Sequence, residues 1–465
     1  MEGLRSSGLA ALLGSRIVPP TRLKQHRNRP SEIHRFWRDL VKPLLGRRCT
    51  PFYLFSAAPV GLALAELDAH FGHLPVRHWL SCKTQPLRPL LQWWRHQNRP
   101  IEVVSEFEFR AALAEGFEPG QILLNGPAKH RWLPAVARPG LRVNFDSPAE
   151  MKQLAPLARR LDWTCGVRLL TREEFDPESP GFATQFGFTP DEAVVAFKNL
   201  RQSKVRLETV HFHLRTNVAS AAIYERALAH AAEICRAGGF APRFIDMGGG
   251  FPPPRVWSRG GKAVNAQFDL REMSAVYQRA FKVFPSAEEI WLENGRWLLA
   301  RSGVLVVKVL DAKVRPKIRS LICDGGRTMN ALVSNWETHE CLTLPARSGA
   351  TMPTTVNGPT CMAFDQLTTG PLPKALRAGD HLMWLEAGAY HLPWETHFSH
   401  GRAAVFWHDG QRTTSARLAE DFAQNVPSAR CGHPQPRRHV RGRRQIAQPP
   451  MPHTMVNVAE ALREG

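Results

Sequence analysis

The chain has 465 residues, 43% hydrophobic and 22% charged, an ordinary balance for a folded globular protein of roughly two or three domains. No run approaches the about 18 apolar residues that a membrane-spanning helix needs. The formal net charge is +20, but +8 of it falls within residues 1–50, +5 within 411–465 and only +7 on the 360 residues between, so the basicity reads as solvated ends rather than a nucleic-acid surface.

Residues 1–48 form a basic extension. Its short apolar stretch at 8–14 lacks a convincing cleavage site after it, which argues for a disordered or helical extension over a signal peptide. Residues 51–55, Pro51-Phe52-Tyr53-Leu54-Phe55, are strand-like. Short β-type runs then alternate with helical stretches. Strands are expected at 78–82, 101–104, 122–125, 141–145, 165–170, 209–213, 243–247 and 290–293. Helices are expected at 106–115, 148–160, 219–237 and 270–283, the last two with apolar residues at helical spacing on one face. Eight strands alternating with helices predict an α/β fold, a (β/α)8 TIM barrel. No G-x-G-x-x-G follows the first strand, which counts against an open dinucleotide-binding sheet.

Beyond residue 300 the pattern changes. Runs at 304–310, 320–324, 340–344 and 381–385 are strand-like and separated by Gly, Pro and Asn turns. They predict a C-terminal all-β domain. The expected organisation is therefore a 1–48 extension, a 49–69 segment contributing to the β domain, a 70–299 barrel, a 300–412 β domain and a 413–465 tail rich in Pro and Arg, partly disordered. The eight cysteines are scattered, with no C-x-x-C pair. This fits reduced thiols in a cytoplasmic protein and gives no metal-binding spacing.

In such a barrel the chemistry lies at the C-terminal ends of the strands. Lys83 ends the first run, His213 the sixth, Gly248-Gly249-Gly250 the seventh, and Glu293-Asn294-Gly295-Arg296 the eighth. Each alone has a bland explanation: a solvated lysine, a packing histidine, a tight turn, an exposed ion pair. Together they supply what pyridoxal phosphate requires. The aldehyde takes a lysine, the phosphate takes exposed backbone N–H groups and a cation, the ring nitrogen takes a carboxylate, and the ring face takes a flat partner.

The order of motifs resembles the ornithine/diaminopimelate/arginine decarboxylase family, fold-type III pyridoxal-phosphate enzymes, from about residue 51 to 408. Ser81-Cys82-Lys83, His211-Phe212-His213, Asp246-Met247-Gly248-Gly249-Gly250-Phe251-Pro252, Glu293-Asn294-Gly295-Arg296, Gly358-Pro359-Thr360-Cys361-Met362-Ala363-Phe364-Asp365 and Gly388-Ala389-Tyr390 carry the likeness. The resemblance implies that Lys83 carries the cofactor as a Schiff base and His213 stacks on its ring. It implies that Glu293 pairs with the ring nitrogen, while Gly248, Gly249, Gly250, Thr216, Arg296 and Tyr390 hold the phosphate. Cys361 would act in the second subunit's site of a homodimer, and Glu108 would stand near the cofactor.

The departures bear on the substrate. Arg215-Thr216 replaces the family's Gly-Ser. Met362 stands where basic-amino-acid decarboxylases place an aspartate, and by spacing from Asp324 the second clamp carboxylate falls on Asn335. Burying an ammonium without a carboxylate costs at least a few kcal/mol. The expected reaction is thus decarboxylation of an amino acid without a free distal amine: acidic, neutral or linked to a carrier. Arg215, Asn335, Met362 and Asp365 are the candidate substrate contacts. A diaminopimelate or other basic-amino-acid decarboxylase with an altered clamp is the alternative. A racemase or a non-catalytic binding homologue fits less well, because Lys83, Glu293, Arg296 and Cys361 are all retained.

Overall fold

The computed structural model describes residues 32–46, 50–174 and 184–421. The basic stretches 1–31 and 422–465, with Cys431, and Cys49 lie outside the described residues. Among the described residues no helix is long and apolar enough to cross a membrane.

The first strand, β1 (Phe52–Ser56), is wholly buried and joins a sheet built otherwise from the C-terminal part of the chain. The barrel follows: β2 (Val76–Ser81), β3 (Ile101–Val103), β4 (Ile122–Leu124), β5 (Arg142–Phe145), β6 (Thr164–Arg168), β7 (Leu207–His211) and β8 (Phe244–Asp246). A short β9 (Val256–Ser258) precedes β10 (Glu289–Asn294), which pairs with both β8 and β2 and closes the parallel ring. All eight barrel strands stand where the alternation predicts them, with ends differing by a few residues. The strand expected at 209–213, β7, ends at His211, so His213 lies on the loop beyond it.

These strands read as apolar runs because a parallel barrel buries both of their faces. Helices start where capping chemistry permits. Ser105 accepts from the N–H of Glu108, and Ser147 from that of Glu150. Thr189 and Glu192 form a reciprocal capping box. Trp79, Leu123, Phe244 and Trp291 plug the barrel end remote from Lys83, with the rings of Phe244 and Trp291 stacked at 4.6 Å.

The second sheet runs β16-β15-β12-β11-β1-β18-β19. Its members are β11 (Gly303–Val314), β12 (Arg319–Cys323), β15 (Thr351–Asn357), β16 (Gln366–Pro373), β18 (Ala404–His408) and β19 (Thr413–Arg417). Two more strands, β14 (Cys341–Leu344) and β17 (His381–Trp384), pair with each other, and β17 pairs with β11. β13 (Glu337–His339) forms a ribbon with β9. The β architecture continues through residue 417, past the expected boundary at 412, because β19 pairs with β18.

The extension also holds a surprise. Residues Glu32–Val41 form an amphipathic helix whose Trp37 and Val41 pack on Phe52, Leu54, Val306 and Met383. Part of the expected extension is therefore a cover for the second sheet. The two domains meet closely: the Tyr390 N–H donates to the Thr84 carbonyl beside Lys83 at 2.8 Å. At Gly388 a Cβ would stand 1.7 Å from the Leu299 carbonyl, so only glycine lets these backbones approach.

Candidate active site

Barrel closure brings together side chains from seven strands or the turns that follow them. Lys83 sits on the short turn Cys82–Thr84 after β2. Its ammonium lies 3.2 and 3.3 Å from the two oxygens of Glu102, a fully buried residue of β3. Ser81 donates to the same carboxylate at 2.6 Å. Burial pulls the lysine's pKa down, but the negative charges of Glu102 and Glu293 outweigh it and hold the ammonium above its usual value.

Glu293, from β10, is the hub. Its Oε1 accepts from Asn125 Nδ2 at 2.6 Å and lies 3.0 Å from His211 Nε2, while Oε2 lies 2.9 Å from His213 Nδ1. Burial opposes its charge, but His213 and His211 overcome this and hold it well below the usual carboxylate range. Burial pushes His211 down to about 4, so it faces Glu293 as a neutral ring. Asp246 is raised, first by burial and then by the charge of Glu293. Asn144 ties the layer together, donating to Asn125 Oδ1 at 3.0 Å and to Asp246 Oδ2 at 2.8 Å.

The glycine turn after β8 wraps this hub. Gly248 and Gly250 have φ of +66° and +104°, conformations that disfavour any side chain. A Cβ at Gly249 would stand 2.5 Å from the Glu293 carbonyl. Tyr224 fixes the turn from below by donating to the Gly249 carbonyl at 2.6 Å. Arg296 does not pair with Glu293. It donates to Glu337 at 2.5 Å, and its guanidinium lies 4.9 Å from the centre of the Tyr390 ring. The other oxygen of Glu337 meets His339 Nε2 at 3.0 Å.

The remaining expected residues lie on other segments of the chain. Thr216 is exposed and Arg215 half-buried on the loop after His213. The charge of Arg215 acts on Glu173, whose pKa is lowered chiefly by hydrogen bonds from Arg226. Glu108 is buried, accepts from the Val104 N–H at 2.9 Å, and is pushed up to about 7 by burial and by Glu102. Asn335 ends a short helix and donates back to the Ala331 carbonyl at 2.6 Å. Cys361 is exposed and Met362 half-buried. The carboxylate of Asp365 is spent on backbone and side-chain donors, accepting from the N–H of Arg327 on a neighbouring turn, and from the N–H and hydroxyl of Thr360 on its own loop.

Five site residues escaped sequence reasoning: Glu102, Asn125, Asn144, His211 as a neighbour of Glu293, and Glu337. The signal for Glu102 was present, since a carboxylate inside the apolar run Ile101-Glu102-Val103-Val104 must be buried and hence paired. Nothing local marked Asn125 or Glu337.

A family profile described as "Pyridoxal-dependent decarboxylase, pyridoxal binding domain" matches residues 64–300. A diaminopimelate decarboxylase of Deinococcus radiodurans is 30% identical over 385 residues, 80% of this chain and 94% of its own. A lysine/ornithine decarboxylase of Selenomonas ruminantium is 26% identical over 82% of this chain and 95% of its own. The crystal structure of Helicobacter pylori diaminopimelate decarboxylase complexed with L-lysine superposes with a TM-score of 0.70 at 22% identity, covering 82% of this chain and 96% of that one; this likeness shows the fold. With its barrel, its rim of lysine, glycine turn and carboxylate, and these matches, the chain belongs to the pyridoxal-dependent decarboxylases, the ornithine/diaminopimelate/arginine decarboxylase family, and its cofactor is pyridoxal phosphate.

Proposed function

We propose that this amino-acid decarboxylase acts on diaminopimelate or another amino acid with a distal amine, through composite sites in a homodimer. The similarity to diaminopimelate and lysine/ornithine decarboxylases over nearly their full lengths carries the substrate reading. The sequence argued instead for an acidic, neutral or carrier-linked substrate, because Asn335 and Met362 leave two carboxylates missing. That argument weakens once Glu337 is seen. It is buried, ionised and two residues past Asn335, and it neutralises Arg296, so the rim is not left with an excess of positive charge.

The residues present fit the cofactor. Lys83 and Glu293 face one space, and the glycine turn beside them excludes any Cβ. Lys83 would hold the aldehyde carbon, Glu293 the ring nitrogen and His213 the ring face. Gly248, Gly249, Gly250, Thr216, Arg296 and Tyr390 would surround the phosphate. The bound cofactor supplies an electron sink for the pair left when CO2 departs. Glu293 keeps that sink electron-poor by staying ionised in a buried, preorganised network. Glu102 holds the Lys83 side chain in position through both of its carboxylate oxygens.

Cys361 would donate a proton to the substrate's α-carbon in the partner's site. Its exposure supports this, together with that of Phe364, 60% accessible three residues along the same loop, which leaves apolar surface for a second copy to cover. Steady-state CO2 release from meso-diaminopimelate, L-lysine and L-ornithine, against L-glutamate, L-aspartate and carrier-linked amino acids, tests the substrate. The highest kcat/KM is expected with a diamino acid. An acidic, neutral or carrier-linked substrate turned over fastest would restore the argument from Asn335 and Met362.

A further inference from the structure

The three partners of Glu293 are not equivalent. Asn125 and His211, both on Oε1, are buried, with 4% and 1% exposure, and belong to the barrel interior. His213, on Oε2, lies on the loop beyond β7 and keeps a quarter of its side chain accessible. The chemistry of the contacts differs as well. His213 Nδ1 is claimed twice: Glu293 Oε2 at 2.9 Å requires it to carry a proton, whereas the Gly249 N–H, aimed at it from 3.3 Å, requires a lone pair. A neutral imidazole nitrogen can satisfy only one of these. Asn125 has no such conflict. Its amide donates to Glu293 and, at 3.5 Å, to Glu102, and its carbonyl accepts from Asn144. His211 Nε2 is close to Oε1 but off the line of a good hydrogen bond, and its Nδ1 has no partner. The proton is therefore best placed on Nε2, where the carboxylate is nearest.

We infer that Asn125 and His211 are positioning residues that lock Oε1 of Glu293, leaving Oε2 as the oxygen offered to the ring nitrogen, and that His213 is a placeholder which yields Oε2 when the cofactor enters. This rests on the assignment of Glu293 to the ring nitrogen. A carboxylate free to rotate about its last bond would present either oxygen at varying angles. One oxygen pinned from within the barrel leaves the other a single direction, and a preorganised acceptor is stronger than one that must be ordered on binding. The raised pKa of Asp246 supports the same picture, since it leaves Glu293 as the ionised member of the pair.

The test uses the full-length apoprotein and two probes, pyridoxal phosphate and its 1-deaza analogue, in which C–H replaces the ring nitrogen. The readout is the ratio of their Kd values. A structural defect weakens both probes alike and leaves the ratio unmoved. The wild-type protein should prefer pyridoxal phosphate by on the order of tenfold or more, as expected for a hydrogen bond to a charged group. Glu293→Gln should abolish the preference, and if it does not, the underlying assignment fails. Given that loss, His211→Asn, whose shorter amide falls short of Oε1, and Asn125→Ala should each cut the preference about fivefold. His211→Gln, which can return an amide N–H to the position of Nε2, should restore it. Wild-type ratios in both His211→Asn and Asn125→Ala would overturn the inference while leaving the Glu293 assignment standing. If Asn125→Ala does not fold, the His211 pair decides alone.

Discussion

Asp365 separates two roles by their energetics. The family-like motif at 358–365 made it a candidate substrate contact, but the residue is 2% exposed and its carboxylate accepts from the Arg327 N–H at 2.7 Å, the Thr360 N–H at 3.0 Å and the Thr360 hydroxyl at 2.6 Å. Gly326 and Gly358 press against it so tightly that a Cβ on either would stand 2.2 and 2.4 Å from its oxygen. Asp365→Ala strands two backbone donors and a hydroxyl in this enclosed loop. At about 1–3 kcal/mol per unsatisfied group, partly relieved by water, the expected destabilisation is about 4 kcal/mol. Asp365→Asn keeps one acceptor oxygen and should cost about half as much. Urea and thermal unfolding measure both. The tip of the same loop carries Cys361 and Met362, so the residual activity should fall mainly in kcat as Cys361 loses its fixed position. A variant that unfolds at the wild-type midpoint and shows only a raised KM would refute this and return the carboxylate to the substrate.

Four further outcomes follow from the structure. Lys83→Ala should lose the visible absorbance of lysine-bound cofactor, and borohydride should fix no cofactor to the variant chain; covalent capture at another lysine would show that Lys83 is misassigned. Glu293→Gln should fold and lose about 10²–10³ in kcat, the scale for removing one preorganised electrostatic group; a kcat within threefold of wild type would count against its role. Glu337 is lowered from 4.5 to about 2, where burial is outweighed by the hydrogen bond from His339 and by Arg296. Because the folded value is the lower, it contributes ~3 kcal/mol above pH 4.5 that disappears as pH falls toward 2, and acid-unfolding curves of Glu337→Gln should lack that limb. Trp37→Ala, which empties the contact between the N-terminal helix and the second sheet, should destabilise by about 3–5 kcal/mol in urea unfolding; a shift under about 1 kcal/mol would mean the helix is only loosely seated.

The barrel was legible because parallel strands buried on both faces are rich in apolar residues. Runs such as Ile122-Leu123-Leu124 announce themselves between amphipathic helices. The glycine turn was legible for a local reason too, since positive φ at Gly248 and Gly250 admits little else. The second sheet was less so. Thr351–Asn357 and Gln366–Pro373 alternate buried and exposed residues and carry Pro, Thr and Gly, so their apolar signal is weak. Their partners, not their composition, make them strands.

The residues proposed to touch the cofactor could be picked out in one dimension: Lys83, His213 and Arg296 follow recognisable strands, and Glu293 stands near the end of one. What surrounds them could not, because those contacts exist only after closure. Asn125 reaches Glu293 across 168 residues of sequence, and Glu337 reaches Arg296 from a different domain. An amide at the end of β4 has no meaning until β10 closes the ring, and Glu337 meets Arg296 only once the ribbon of β9 and β13 has formed. Sequence determined which functional groups the chain possesses and which strand end each occupies, since local periodicity and turn chemistry are short-range properties. Only the tertiary structure decided which of them share a proton, a charge or a buried oxygen, because electrostatic coupling depends on distances of about 3 Å that chain separation does not encode.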